Sequence, residues 1–138
     1  MIWESHFWKD VLLKHAATLR KRTTQHRWPE VSQARLEQTL MLGFYSIRKL
    51  HEAAKMSSAT MTDSVALTTY PWSGKNVTKL NWHKLDQLYD LASPRCETRD
   101  VLFVCHQFVH SFVFTAAFDE NEGLQGICLL YTSDAADE

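Results

Sequence analysis

The chain has 138 residues, enough for one domain with a real core and too few for two. Its 45% hydrophobic and 22% charged residues are ordinary for a water-soluble globular protein, and a net charge of −1 argues against a dedicated nucleic-acid binder. No apolar run approaches the ~18 residues a membrane span needs, and MIWESHFWKD lacks the basic start and apolar stretch of a secretion signal. The expectation is a cytosolic protein with no membrane partner.

A first helix is expected over residues 2–22, with Trp3, Phe7, Val11, Ala16 and Leu19 on its inward face and Trp8 and Leu12 widening it. Arg20, Lys21 and Arg22 close it, where cations answer the negative end of the helix dipole. With His26 and Arg27 they are also the candidate nucleic-acid-binding residues; the plainer reading is a solvated charge cluster. Pro29 suits the first turn of a second helix over 29–55. Leu36, Leu40, Gly43/Phe44, Ile47, Leu50 and Ala54 form its stripe, spaced four and three as for a helix packed lengthwise on another. Gly43 costs about 1 kcal/mol against Ala there, which suggests close approach of a neighbouring backbone or of a Trp from the first helix. Tyr45, Arg48 and His51 fall off the stripe and read as solvated or rim residues.

The small polar residues of 56–64 end that helix. Residues 65–70 read as a strand halted by Pro71, 72–76 as a turn, and 77–80 as a second short strand. Ser73-Gly74-Lys75 lacks the earlier Gly and following Ser/Thr of a phosphate loop, and Asn76-Val77-Thr78 is a chance glycosylation sequon in the absence of a secretion signal. Asn81 is a good N-cap for a helix over 82–91 with Leu85, Leu88 and Tyr89 inward, and Ala92-Ser93-Pro94 breaks it.

The rest of the chain is organised around CETRDVLFVCHQFVHSFVFTAAF, residues 96–118. Val101, Leu102, Cys105, Phe108 and Val109 recur at helical spacing, with Thr98 as a possible N-cap, so a helix is expected over 97–110. A strand at 101–105 is the alternative, since a short apolar run is ambiguous between the two. Strands at 112–118 and 124–127 flank the polar turn Asp119-Glu120-Asn121-Glu122-Gly123.

The last eleven residues, CLLYTSDAADE, resemble one translated reading frame of a transposase-library sequencing adaptor. That resemblance implies a native domain over 1–127, cut near Ile127, followed by a non-native tail over 128–138. Residues 1–127 carry 15 basic and 13 acidic groups, net +2. The charge is uneven: 1–60 hold ten Lys/Arg against five Asp/Glu, and 61–127 five against eight. Cys96 and Cys105 then remain, and two cysteines without a secretion signal suggest reduced thiols.

Candidate chemistry centres on Arg99, His106 and His110. Arg99 and His106 lie two turns apart, on one face of the expected helix. An imidazole near neutral pKa moves protons and a guanidinium stabilises phosphate charge. The pair resembles the signature of HEPN-type ribonucleases, in which Arg and His are separated by four to six residues. That resemblance implies metal-independent attack of a ribose 2′-hydroxyl on the RNA backbone, across a dimer interface, by Arg99 and His106. HEPN domains are helical bundles, so the expected β-hairpin departs from the family.

His106 and His110 also have the H-x-x-x-H spacing that lets two imidazoles hold a metal, but Gln107 stands where a zinc protease needs Glu. Cys105 points about 100° away on a helix, so no metal site or cofactor is expected, and local hydrogen bonding is the simplest role for both His. The sum is an α+β fold: a long antiparallel helix pair packed with short helices and a small, mainly antiparallel sheet, truncated at its C-terminus. The first functional expectation is a non-enzymatic, bacterial-type accessory protein acting through a protein partner or homodimer. A HEPN-like ribonuclease is the alternative, and weak nucleic-acid binding through Arg20, Lys21, Arg22 and Arg27 a third.

Overall fold

A computed structural model describes residues 2–111 and 113–130, and the helix pair expected at the start of the chain is its longest feature. Helix α1 spans Ser5–Arg22 and α2 spans Glu30–Glu52, lying against one another. Pro29 sits at the N-cap of α2, one position before the helical residues, with extended backbone. The helix ends in a Schellman motif. Ala54 takes a left-handed φ of 57°, its N–H donates to the His51 carbonyl, and the Lys55 N–H donates to the Leu50 carbonyl.

A helical turn α3 (Ser58–Met61), capped by the Ser57 hydroxyl, stands where only a loop was expected, because Met61 is apolar and is buried. Strand β1 (Ser64–Thr69) follows, as read. Residues 77–80 form no strand: the buried Val77 side chain anchors a loop instead. The Asn81 side chain accepts from the Thr78 N–H and donates to the Asn76 carbonyl. It therefore ties a turn together rather than capping a helix, and α4 shrinks to Leu85–Leu88, with Leu88 fully buried.

The central stretch is both strand and helix, divided differently from either expectation. Strand β2 (Arg95–Asp100) pairs antiparallel with β1, Val65 opposite Arg99 and Ser64 opposite Asp100. Helix α5 (Val101–His110) begins at once, its N-cap being Asp100, whose carboxylate accepts from the Phe103 N–H at 2.8 Å. Thr98 therefore does not cap the helix; it lies within β2 opposite Ala66. An edge of β1 open to pairing overrides the weak local preference of 95–100, and the apolar periodicity of 101–110 then sets the helix.

Strands β3 (Val113–Phe118) and β4 (Leu124–Leu130) form an antiparallel hairpin with a register shift at Ala117/Phe118. A Cβ at Gly123 would meet the Asp119 carboxylate at 2.9 Å, so a side chain there would have to displace the group that accepts from the Asn121 and Gly123 N–H. The sheet is thus two separate two-stranded sheets, β1–β2 and β3–β4, and not one. β4 runs past the boundary expected at Ile127, through Cys128 and Leu129 to the buried Leu130, while residues 131–138 of the expected tail and Phe112 lie outside the described residues.

The fold is α+β, with two apolar clusters. Leu36 and Leu40 of α2 meet Phe108 of α5, and Phe44 stacks on Phe108 at 4.0 Å and 11°. The hairpin covers this pair with Phe114, Ala116, Leu124, Ile127 and Leu129. Leu130 closes a second cluster with Val77 and Leu88. Helix α1 contributes no buried residue. Trp3, Phe7, Val11 and Trp8, expected inside, are 81%, 63%, 45% and 41% exposed, because α1 packs chiefly on α2 with Leu12, Ala16 and Leu19 turned inward. Gly43 is buried, but nothing lies within 4 Å of the Cβ an alanine would add, so no close approach explains it. Among the described residues no helix is long and apolar enough to cross a membrane.

Candidate functional site

Helix α5 presents Phe103, His106 and His110 along one side, at spacings of three and four. The two imidazole rings lie 4.4 Å apart with planes at 46°, and both are half-buried. No hydrogen bond joins His106 to another described residue. From α2, Arg48 reaches across the helix–helix contact with Nη1 3.2 Å from His110 Nε2. A guanidinium only donates, so His110 Nε2 is the acceptor and the imidazole proton is assigned to Nδ1. Arg48 Nε donates to Glu52 Oε1 at 3.1 Å, and Lys49 Nζ meets Glu52 Oε2 at 3.1 Å. Hydrogen bonds from Lys49 and then Arg48 hold the Glu52 carboxyl below its usual range.

Arg99 is not on the helix with His106, contrary to the spacing argument: it belongs to β2. Its guanidinium lies 4.7 Å from the Phe103 ring centre, a cation–π distance, and its Nε is 3.4 Å from Glu97. The line along α5 therefore runs Arg99, Phe103, His106, His110, Arg48, with a guanidinium at each end. Arg48 was not legible as a site residue. Its contact with His110 spans 62 positions of sequence and leaves no local pattern.

Cys105 turns the other way, into the core, 1% exposed, and burial pushes its thiol up to about 11. Cys96 is exposed on β2. Among the described residues no three His, Cys, Asp or Glu side chains gather as a metal-holding set.

The basic residues at the α1–α2 connection do not share one environment. Arg20, Lys21 and Arg27 are exposed. Arg22 instead turns in, donating to Gln25 Oε1 at 2.6 Å and lying 5.9 Å from the Trp28 ring centre. Trp28 packs on Phe118 at 5.4 Å, and His26 Nδ1 is 3.2 Å from the Asn121 carbonyl. The Asp119–Glu122 turn is thereby drawn beside the basic residues, where its carboxylates offset their field.

Two open grooves of about 570 and 480 Å³ lie where α1 begins and α2 ends. Ile2, Glu52 and Ala53 line both; Trp3, Ala54 and Lys55 complete one, and Trp8, Tyr45 and Lys49 the other. Arg99, His106 and His110 line neither. This surface was not legible in the sequence, where Trp3 and Trp8 read as core residues.

The chain matches no protein-family model, no curated protein and no solved structure.

Proposed function

We propose that the protein is a non-enzymatic interaction protein that self-associates through the outer face of α1. The observation that carries this reading is the exposed apolar surface of Phe7, Val11 and Trp8 on α1, continued by Trp3 just before the helix and by the half-exposed Tyr45 of α2. At ~200 Å² per aromatic side chain, their exposed fractions amount to roughly 500 Å² on one copy. Two copies related by a two-fold axis would bury about 1,000 Å², the threshold for a specific interface. A helical stripe is self-complementary across such an axis, and a net charge of −1 sets almost no repulsion between copies.

Sedimentation equilibrium on the full chain from about 1 to 200 µM tests this. A monomer–dimer equilibrium is expected, and Phe7→Glu and Trp3→Glu should shift it to monomer without changing circular dichroism or Tm. A monomer at every concentration overturns the reading. Reduced thiols at Cys96 and Cys105 support a cytosolic setting. A HEPN-like ribonuclease is the second reading, favoured by Arg99 and His106 flanking Phe103 on one side of α5.

A further inference from the structure

We infer that Arg48, His106 and His110 form a binding site for a phosphate group. Three observations point to it. Arg48 and His110 meet across two packed helices, with Arg48 Nη1 3.2 Å from His110 Nε2, and the His106 ring lies 4.4 Å from that of His110. All three are half-buried, where a charged hydrogen bond is screened less than at a fully exposed position. His106 has no hydrogen-bonding partner among the described residues, so one of its ring nitrogens is available to donate.

A guanidinium together with the His106 N–H is a donor set suited to a tetrahedral oxyanion, because each phosphate oxygen accepts more than one hydrogen bond. The carboxylate in contact with Arg48 is Glu52, which takes the guanidinium on Nε and is shared with Lys49. The Nη edge is left facing His110. On binding, Nη1 exchanges its bond to His110 Nε2 for a charge-assisted bond to phosphate, and His110 donates there as well once its proton sits on Nε2. Arg99, farther along the same side of α5, adds positive field without belonging to the site. The phosphate is either free or part of a nucleic-acid backbone, since both present the same oxygens.

The test is an NMR titration of the full chain, reading His side-chain nitrogens and amide shifts. Inorganic phosphate is added against sodium chloride at equal ionic strength. Saturable shifts at His106 and His110 are expected, with affinity at least tenfold weaker in His106→Ala and in Arg48→Gln. His106→Ala keeps the test valid if the Arg48 change disturbs folding, because among the described residues His106 holds no side-chain hydrogen bond that the change would break. A ten-residue RNA in the second arm identifies the source. Tighter binding than phosphate, displaced by phosphate, assigns a backbone; binding of inorganic phosphate alone assigns the free ion. Electrophoresis of the same RNA separates this site from the ribonuclease reading, which predicts cleavage, whereas binding alone does not. Shifts no larger than those from chloride, or binding unchanged in both variants, overturn the inference.

Discussion

The junction between β2 and α5 rests on one side chain, and removing it gives the most discriminating measurement. Asp100 pairs with Ser64 in the sheet and caps the helix in the same residue, its carboxylate taking the Phe103 N–H at 2.8 Å in a partly buried setting. Loss of an N-cap acceptor costs about 1 kcal/mol. Here the orphaned donor is only partly reachable by water, which raises the figure to about 1.5 kcal/mol. For a chain of this size that is a fall in Tm of roughly 5 °C, and in the urea midpoint of roughly 1 M. Asp100→Ala should show both, and Asp100→Ser should recover most of the loss because a hydroxyl still accepts. Thr98→Ala is the control: Thr98 is exposed within β2 opposite Ala66, so its change should stay within about 0.5 kcal/mol. Urea titrations followed by circular dichroism read all three. If Thr98→Ala costs more than Asp100→Ala, or Asp100→Ser is as damaging as Asp100→Ala, the helix does not begin where the cap places it.

Two further outcomes follow from burial and backbone geometry. The Cys105 thiol, raised by burial to about 11 from an ordinary 9, favours the folded state while protonated. That contribution is complete below pH 9 and is lost as pH rises through 11. Between pH 8 and 10.5 the wild type should lose about 2 kcal/mol relative to Cys105→Ala, in which the other titrations are shared and cancel; equal losses refute it. Gly43→Ala adds a Cβ with no atom within 4 Å and should stabilise α2 by about 1 kcal/mol. Ala54→Gly relieves the left-handed φ of 57° and should gain a similar amount, about 1 kcal/mol; a fall in Tm in either variant contradicts the geometry.

How much of this was legible before the structure depends on the range of the interaction involved. The stripe Leu36, Leu40, Leu50 repeats at the helical period, and those three side chains are buried in α2. The hairpin at 113–130 was readable from strand formers around a Gly-containing polar turn, in which a side chain at Gly123 would have to displace the Asp119 carboxylate. Asn81 misled because Asn serves a turn as readily as a helix cap, and the backbone around it chose the turn. Trp3 and Phe7 misled for a different reason. An apolar helical stripe signals that something covers it, but does not say whether the cover belongs to the same chain.

The sequence by itself determined the α+β class, the paired long helices, the β1 strand and the terminal hairpin, because periodicity and turn chemistry act over a few residues. Tertiary contact alone decided the rest. Residues 95–100 became a strand because β1 offered hydrogen-bonding groups about thirty positions away. Arg48 met His110 because two helices happened to pack. The outer face of α1 stayed in water because no later segment among the described residues folds back over it. Each of these is settled by free energy gained between distant residues, which no local stretch of sequence encodes.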